Sequence, residues 1–392
     1  MRWATLPHYQ HKEDVPLPAG WTAHRTEDLS EQLPIGVRRD TKSCGPKGGV
    51  PVIDQSEDGV LGWHDDQPGV EASESRPVVT FANHTCEMRL NRRPFSVIQN
   101  VFPKVGREPI CSTRFFYYAT KGRVRLTDYK GHHPIFRAAW IPVPPPHVQS
   151  GIVEALSAYD DLIENCERRI RVLDGMARAL YREWFVDFRY PGHEKVPMVE
   201  SPLGPIPREW KIMSLGDVAN NFDRLRRPLS KAQRALRSGP HPYYGAAKIF
   251  DYIDDFIFDG EYLLFAEDGS VSTGEGGPVL QLVSGKFWPN NHTHILQGRA
   301  PVSTFSLYLA LASVSISQYV TGAAQPKVTQ ENMNRIPLLQ APAVVHAEFD
   351  AKARPLFLGG QVLQREIVAL RETRDLLLPR LLSGELLLKD HA

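Results

Sequence analysis

The chain has 392 residues, 46 Lys and Arg against 45 Asp and Glu, a net charge of +1 and 42% hydrophobic residues, with a mean hydropathy of −0.32. That length predicts about two or three globular domains with ample core, and the near-neutral balance excludes a uniformly basic surface, so a polyanionic partner would have to be met by local clusters. No apolar run is long enough to span a membrane, Met1-Arg2-Trp3-Ala4 lacks the apolar segment of a signal peptide, and Cys44, Cys86, Cys111 and Cys166 stand far apart. Together these predict a cytoplasmic chain with no membrane, no zinc site and no disulfide framework.

Residues 1–16 carry no pattern and read as an N-terminal extension. Leu17-Pro18-Ala19-Gly20-Trp21 then opens a first unit and Ile206-Pro207-Arg208-Glu209-Trp210 a second, followed by Asp28-Leu29 and Asp217-Val218. The openings lie 189 residues apart, and Ile141-Pro142 recurs as Ile336-Pro337 at 195. Landmarks in order at nearly one offset indicate a tandem repeat of half the chain. The blocks 21–140 and 210–335 hold short apolar runs between Gly, Pro, Asn and Asp. Val78–Phe81, Phe115–Tyr118 and Tyr262–Phe265 are examples, and such spacing predicts mostly β domains, with helical character from Ser303 to Tyr319.

Ten apolar positions recur in steps of four and three: Ile152, Leu156, Tyr159, Ile163, Cys166, Ile170, Leu173, Ala177, Leu180 and Trp184. A shift of 197 gives Phe349, Ala353, Leu356, Gly360, Leu363, Ile367, Leu370, Arg374, Leu377 and Leu381 in the same register, with Gly360 and Arg374 as interruptions. Sustained spacing of this kind is the seam of a helix lying along a partner helix, so two long helices that pack together are expected. Pro144-Pro145-Pro146 suits entry to the first, and Pro191-Gly192 ends it. In the second, Pro355 predicts a kink or restart and Pro379 an end. That leaves a regular run of about 36 Å, close to the ~34 Å turn of B-DNA. The expected class is α+β: two mostly β domains with mixed helices, joined by two long antiparallel helices as a pseudo-twofold tandem repeat. The expected boundaries are an extension at 1–16, a first domain at 17–143, a central helix at 144–190, a linker at 191–205, a second domain at 206–338 and a C-terminal helix at 339–392.

Charge is unevenly placed. Residues 87–137 hold eleven Lys or Arg against three acids, and 222–248 hold seven against one, whereas 54–75 and 251–268 hold seven acids each and no Lys or Arg. One basic, aromatic-interleaved segment per repeat suits two sites that each grip a phosphate backbone. The candidates are Arg89, Arg92, Arg93, Lys104, Arg107, Lys121 and Arg123 in the first repeat, and Arg224, Arg226, Arg227, Lys231 and Arg234 in the second. Bases would be read by other side chains, Arg for guanine and Asn or Gln for adenine.

Catalytic motifs are missing. There is no P-loop, no G-x-G-x-x-G after a strand, no G-x-S-x-G elbow and no Asn/Asp-Pro-Pro-aromatic tetrad. Triplets such as Asp128-Tyr129-Lys130 and Glu209-Trp210-Lys211 are no more than chance supplies. His292-Thr293-His294 shows no carboxylate or Cys nearby in sequence for a metal, and Gly269–Gly277 reads as a surface loop. Asp160, Asp161, Glu164 and Glu167 read as a solvated helix face. The expectation is a chain that binds and does not itself catalyse, with no metal and no cofactor of its own.

Ala177-Arg178-Ala179-Leu180-Tyr181-Arg182-Glu183-Trp184-Phe185-Val186-Asp187-Phe188 and Arg374-Asp375-Leu376-Leu377-Leu378-Pro379-Arg380-Leu381-Leu382-Ser383-Gly384-Glu385 resemble the specificity subunit of type I restriction–modification enzymes. Pro145-Pro146-His147-Val148-Gln149, Gln325-Pro326-Lys327-Val328-Thr329-Gln330 and the two openings add to the resemblance, which runs from about 17 to 388. The first repeat departs from the pattern at Lys130-Gly131-His132-His133-Pro134. The resemblance implies two target-recognition domains that each read half of a split, asymmetric site in double-stranded DNA. It also implies helices that set the spacer and dock two methyltransferase subunits, with restriction/translocase subunits joining them. S-adenosylmethionine, ATP and Mg²⁺ would belong to those partners. The rival reading is a coiled-coil scaffold carrying two ligand-binding β domains that never meet DNA; it leaves the basic segments and the closing motif unexplained.

Overall fold

The computed structural model describes residues 6–56, 59–126, 131–322 and 325–386. Met1-Arg2-Trp3-Ala4 and Asp128-Tyr129-Lys130 lie outside them. Two compact units emerge: Met1–Glu167 with Gln364–Ala392, and Arg168–Leu363.

The first unit opens with β1 (Thr22–Arg25), β2 (Ser30–Gln32), β3 (Val50–Ile53) and β4 (Val60–His64). There follow β5 (Val78–Ala82), β6 (Met88–Asn91), β7 (Ser96–Val97) and β8 (Val101–Gly106). Helices α1 (Thr113–Thr120) and α2 (His133–Ala138) lead to β9 (Trp140–Val143) and α3 (Pro146–Tyr181). The strands form a β2-β8-β5-β6 sheet, a β4-β3-β7 sheet and a β1-β9 ribbon. All five residues of β5 are buried, because its alternate side chains serve two cores. Val79 and Phe81 pack with Phe115, Phe116, Phe136 and the long helices, while Val78 packs with Ile53, Phe95 and Val97.

Phe115–Tyr118, read as a strand-like run, is helix α1. Ser112 Oγ accepts from the Phe115 N–H at 3.2 Å as an N-cap. All four aromatics are buried, so neither period shows in the sequence.

The second unit repeats the plan. It contains β10 (Met198–Val199), β11 (Ile206–Pro207), β12 (Lys211–Ser214), α4 (Leu215–Val218), β13 (Ala219–Asn221) and α5 (Lys231–Ala235). Strands β14 (Ser238–Tyr244), β15 (Ile249–Ile253), β16 (Phe258–Ala266), β17 (Leu280–Pro289) and β18 (Thr293–Gly298) follow. It closes with α6 (Thr304–Ala312), α7 (Gln330–Asn334), β19 (Pro337–Gln340) and α8 (Ala343–Leu382). Its main sheet runs β13-β18-β16-β17-β14-β15, and β12 pairs with β19. The first four strands thus match β2-β8-β5-β6, and the ribbon matches β1-β9. Details repeat too. The Gly106 N–H donates to Thr113 Oγ1 at 3.0 Å and the Gly298 N–H to Thr304 Oγ1 at 3.2 Å. Ser112 and Ser303 cap the helices that follow.

The long helices pack antiparallel within each unit. In the first, Asp160 meets Arg374 and Glu167 meets Arg371. In the second, Leu173 lies against Gly359, while Tyr181 and Trp184 lie edge-on to Phe349. Partner numbers fall as the first numbers rise. Every one of the twenty seam positions is buried or half-buried.

Two proline expectations need correction. Helix α8 runs unbroken through Pro355 and Pro379 for 40 residues, about 60 Å, so the match to one turn of B-DNA lapses. Leu381, beyond Pro379, is 1% exposed. A helical proline forfeits one backbone bond at roughly 3 kcal/mol; here buried Phe349, Ala353, Leu363 and Ile367 on either side of Pro355 hold the helix to its seam. Arg374 is no gap in the seam either: only 7% exposed, it donates to Asp160 at 2.5 Å and Asp375 at 2.8 Å. Of the four carboxylates read as a solvated face, Asp161 and Glu164 are exposed as expected and Asp160 and Glu167 half-buried, and each also has a cation. Asp160 also accepts from the Tyr118 hydroxyl at 2.7 Å, Asp161 and Glu164 face Arg92, and Glu167 accepts from Arg371.

Candidate nucleic-acid interface

In the first unit, folding sorts the candidate cations into three kinds. Lys104 and Arg123 are core residues, each 4% exposed. Arg123 sits at the end of α1, where its guanidinium donates to the carbonyls of Ala119 (2.5 Å) and Pro7 (2.6 Å). Burial pushes it down to about 10. Lys104 on β8 is pushed down to about 8 by burial and then by Arg137. Neither can reach a phosphate, which corrects the expectation for both.

Arg89, Arg92 and Lys121 are engaged. Arg89 donates to the Ser56 carbonyl at 2.8 Å and Lys121 to the Tyr117 hydroxyl at 2.7 Å. Arg92 reaches from the end of the sheet to α3, at 2.8 Å from Asp161, with Glu74 at 3.7 Å. It holds the domain to the helix. Arg93 and Arg107 remain exposed, with no ion pair among the described residues.

The second unit divides the same way. Arg226 lies 2.5 Å from Glu267 and also donates to the carbonyls of Asn291 and Thr293 at 3.1 Å each. Arg234 lies 2.5 Å from Asp251 and stacks over Tyr243. Arg237 takes Asp254 and Asp255. Arg224, Arg227 and Lys231 are exposed, without ion pairs among the described residues. In both units, therefore, the acidic segment folds back on the basic one: Glu74 onto Arg92 and Arg114, and 251–268 onto Arg226, Arg234 and Arg237. Of the candidate cations, those that remain for an outside polyanion are Arg93, Arg107, Arg224, Arg227 and Lys231.

Two clefts border that set. One of about 360 Å³ in the first unit is lined by Asn91, Arg92, Arg93 and Tyr117, with Asp160 and Glu164 across it. One of about 770 Å³ in the second is lined by Asn220, Asn221, Phe222, Arg224, Leu225 and Arg299. Arg299 donates to Asn220 Oδ1 at 3.2 Å and to the Asp217 carbonyl at 2.9 Å, and the Asn220 amide N–H groups have no partner among the described residues.

His292 and His294 do have carboxylates, contrary to the reading from sequence neighbours. His292 Nδ1 faces Asp268 at 2.8 Å. In buried His294, Nδ1 faces Asp223 at 2.5 Å and Nε2 the Val328 carbonyl at 2.9 Å. Burial alone would raise the Asp223 carboxyl; the hydrogen bond and charge of His294, then the Ile295 N–H, hold it below its ordinary range instead. Both His294 nitrogens are taken, and among the described residues no group of side chains is set to hold a metal. The Gly269–Gly277 stretch is an irregular loop closed by a Ser272–Pro278 bridge.

Residues 207–339 match the model of the type I restriction modification DNA specificity domain. A type I restriction enzyme specificity subunit of Haemophilus influenzae is 36% identical over 140 residues, 36% of this chain and 35% of that protein. The match thus spans about a third of that relative's length. The MjaIX specificity subunit of Methanocaldococcus jannaschii is 24% identical over 312 residues, 74% of this chain and 71% of that one. Among solved structures, the type I restriction–modification S subunit from M. genitalium superposes with a TM-score of 0.54 at 16% identity, covering 92% of this chain and 96% of that one, a likeness of fold. The resemblance read from the sequence is borne out, and so is the α+β class.

Proposed function

We propose that this chain, a relative of the type I specificity subunits with their DNA specificity domain at 207–339, is the non-catalytic sequence-recognition subunit of a type I restriction–modification complex. Each of its two domains binds one half of a bipartite, asymmetric site in double-stranded DNA. The observation that carries the reading is the repeated sheet, β2-β8-β5-β6 and β13-β18-β16-β17, with exposed cations in each unit that have no ion pair among the described residues. Two similar but non-identical readers on one chain suit two unlike half-sites, and linking them makes the second contact effectively intramolecular. In the second unit, Asn220 and Arg224 at the cleft are side chains of the kinds that pair with adenine and guanine edges.

The long helices carry the partners. Leu162 and Leu376 in the first unit, and Val172, Met176, Leu358 and Val362 in the second, stay exposed on α3 and α8. Apolar side chains kept outside a satisfied seam fit the helices of docked methyltransferase subunits. S-adenosylmethionine, ATP and Mg²⁺ would reside in those methyltransferase and restriction subunits. Among the described residues no helix is long and apolar enough to cross a membrane.

Methylome sequencing of a host expressing this chain with a cognate methyltransferase tests the reading. Methylation at a split motif that changes when residues 206–338 are exchanged for another recognition domain supports it. A continuous motif, or one indifferent to the exchange, overturns it.

A further inference from the structure

The three exposed candidate cations of the second unit, Arg224, Arg227 and Lys231, all stand in the connection between β13 and β14, residues 222–237. Its counterpart in the first unit, by sheet position, is the connection between β2 and β3, residues 33–49. That segment lies outside the basic stretch 87–137. At the 189-residue offset of the two openings, Arg38 falls on Arg227 and Lys42 on Lys231. Both connections therefore carry Arg and Lys four residues apart, at one place in one topology. All four residues are exposed, and none has an ion pair or side-chain hydrogen bond among the described residues.

Both segments are pinned close to these cations. In the first unit the Gly36 N–H donates to the Gly69 carbonyl at 2.9 Å and the Arg39 N–H to the Val97 carbonyl at 3.1 Å. The Arg39 guanidinium lies 2.8 Å from Asp66, and Asp40 Oδ1 accepts the N–H groups of Lys42 and Ser43 at 3.0 Å each. In the second unit Arg226 is tied to Glu267 and Trp288 Nε1 donates to the Arg227 carbonyl at 2.6 Å. Ser230 caps the helix on which Lys231 stands, its side chain and that of Gln233 each bonding the other's backbone. Each connection thus spends a neighbouring Arg (Arg39, Arg226) on its own fold and leaves its Arg–Lys pair on an ordered backbone, where little ordering remains to oppose binding.

Resting on the DNA-binding reading above, we propose that Arg38 with Lys42 and Arg227 with Lys231 are matched phosphate clamps, one per recognition domain, and that the first domain grips DNA through its β2–β3 connection. Phosphate contacts set register and affinity without reading sequence, so two domains with different targets can share them.

The test uses the full chain and a random-sequence duplex of about 40 base pairs, titrated across salt by fluorescence anisotropy. Arg38→Ala with Lys42→Ala should reduce the slope of log affinity against log salt by about 2, and Arg227→Ala with Lys231→Ala by the same amount, near 0.9 per phosphate contact. Arg92→Ala should leave the slope unchanged, because Arg92 is held by Asp161. Arg38→Lys with Lys42→Arg should keep it, since charge and not shape is at issue. An unchanged slope in either double alanine variant, with wild type binding normally and circular dichroism unaltered, overturns the matched clamp but not the DNA reading. A wild-type chain with no salt-dependent binding overturns both.

Discussion

His346→Gln should make this protein less sensitive to acid. His346 stands one turn into α8, 3% exposed, with neither ring nitrogen bonded. Burial pushes it down to about 4. At the offset of 197 its counterpart is Gln149, equally buried. The Gln149 side chain accepts from the Ser112 N–H at 3.2 Å and donates to the carbonyls of Ile110 and Pro144 at 2.8 and 3.0 Å. The folded value lies below the ordinary 6.5, so the unfolded chain binds the proton more readily across that window. Stability is full above about 6.5 and is lost as pH falls toward 4. At about 1.36 kcal/mol per unit the whole window is worth roughly 3 kcal/mol, and about 2 kcal/mol of it is gone by pH 5. Urea unfolding at pH 7 and pH 5, followed by circular dichroism, reads the loss. His133, pushed to about 4 by burial and then by Lys104 and Arg137, adds its own loss to both proteins, so the difference between them isolates His346. Wild type should lose about 2 kcal/mol more than the variant on this step. Equal losses would mean that the buried ring finds a partner after all, and the reasoning fails.

Asp160→Ala should destabilise the first unit by about 2 kcal/mol, because it takes a carboxylate from the Tyr118 hydroxyl and from a buried Arg374 that keeps only part of its pairing, through Asp375; Asp160→Leu with Arg374→Leu should recover most of that in the same urea assay. A single variant as stable as wild type would show the pair to be idle. Gly298→Ala should lower the melting temperature, since its Cβ would fall 2.4 Å from the Val302 carbonyl oxygen, whereas Gly274→Ala, with open space around it, should not; equal melting curves would refute the close packing. Inserting one heptad between Glu164 and Arg171 lengthens α3 by about 10 Å. It should change the preferred spacer or abolish binding while leaving both half-sites intact, and altered half-site bases in the methylome would sink the idea of the helices as a ruler.

Local pattern alone determined the helix pair. Contacts along a helix seam recur at the helix's own period, so Ile152 to Trp184 and Phe349 to Leu381 could be named from spacing, and all twenty are sheltered. The repeat was legible for a like reason: duplicated strands keep duplicated landmarks such as Trp21 and Trp210. Which cations face outward was not legible, because the neutralising acids come from remote segments. Arg234 takes Asp251, Arg226 takes Glu267, and Arg92 takes Asp161 on α3. Arg123 and Lys104 look like any surface base until the fold closes over them. Prolines 355 and 379 misled for the complementary reason: local preference argues for a break, and burial along the seam overrides it. The Arg38–Lys42 and Arg227–Lys231 spacing stood in the sequence throughout, but only the shared strand order shows that both pairs occupy the same connection. Periodic contacts are written locally; charge pairing and topological equivalence are decided when distant segments meet.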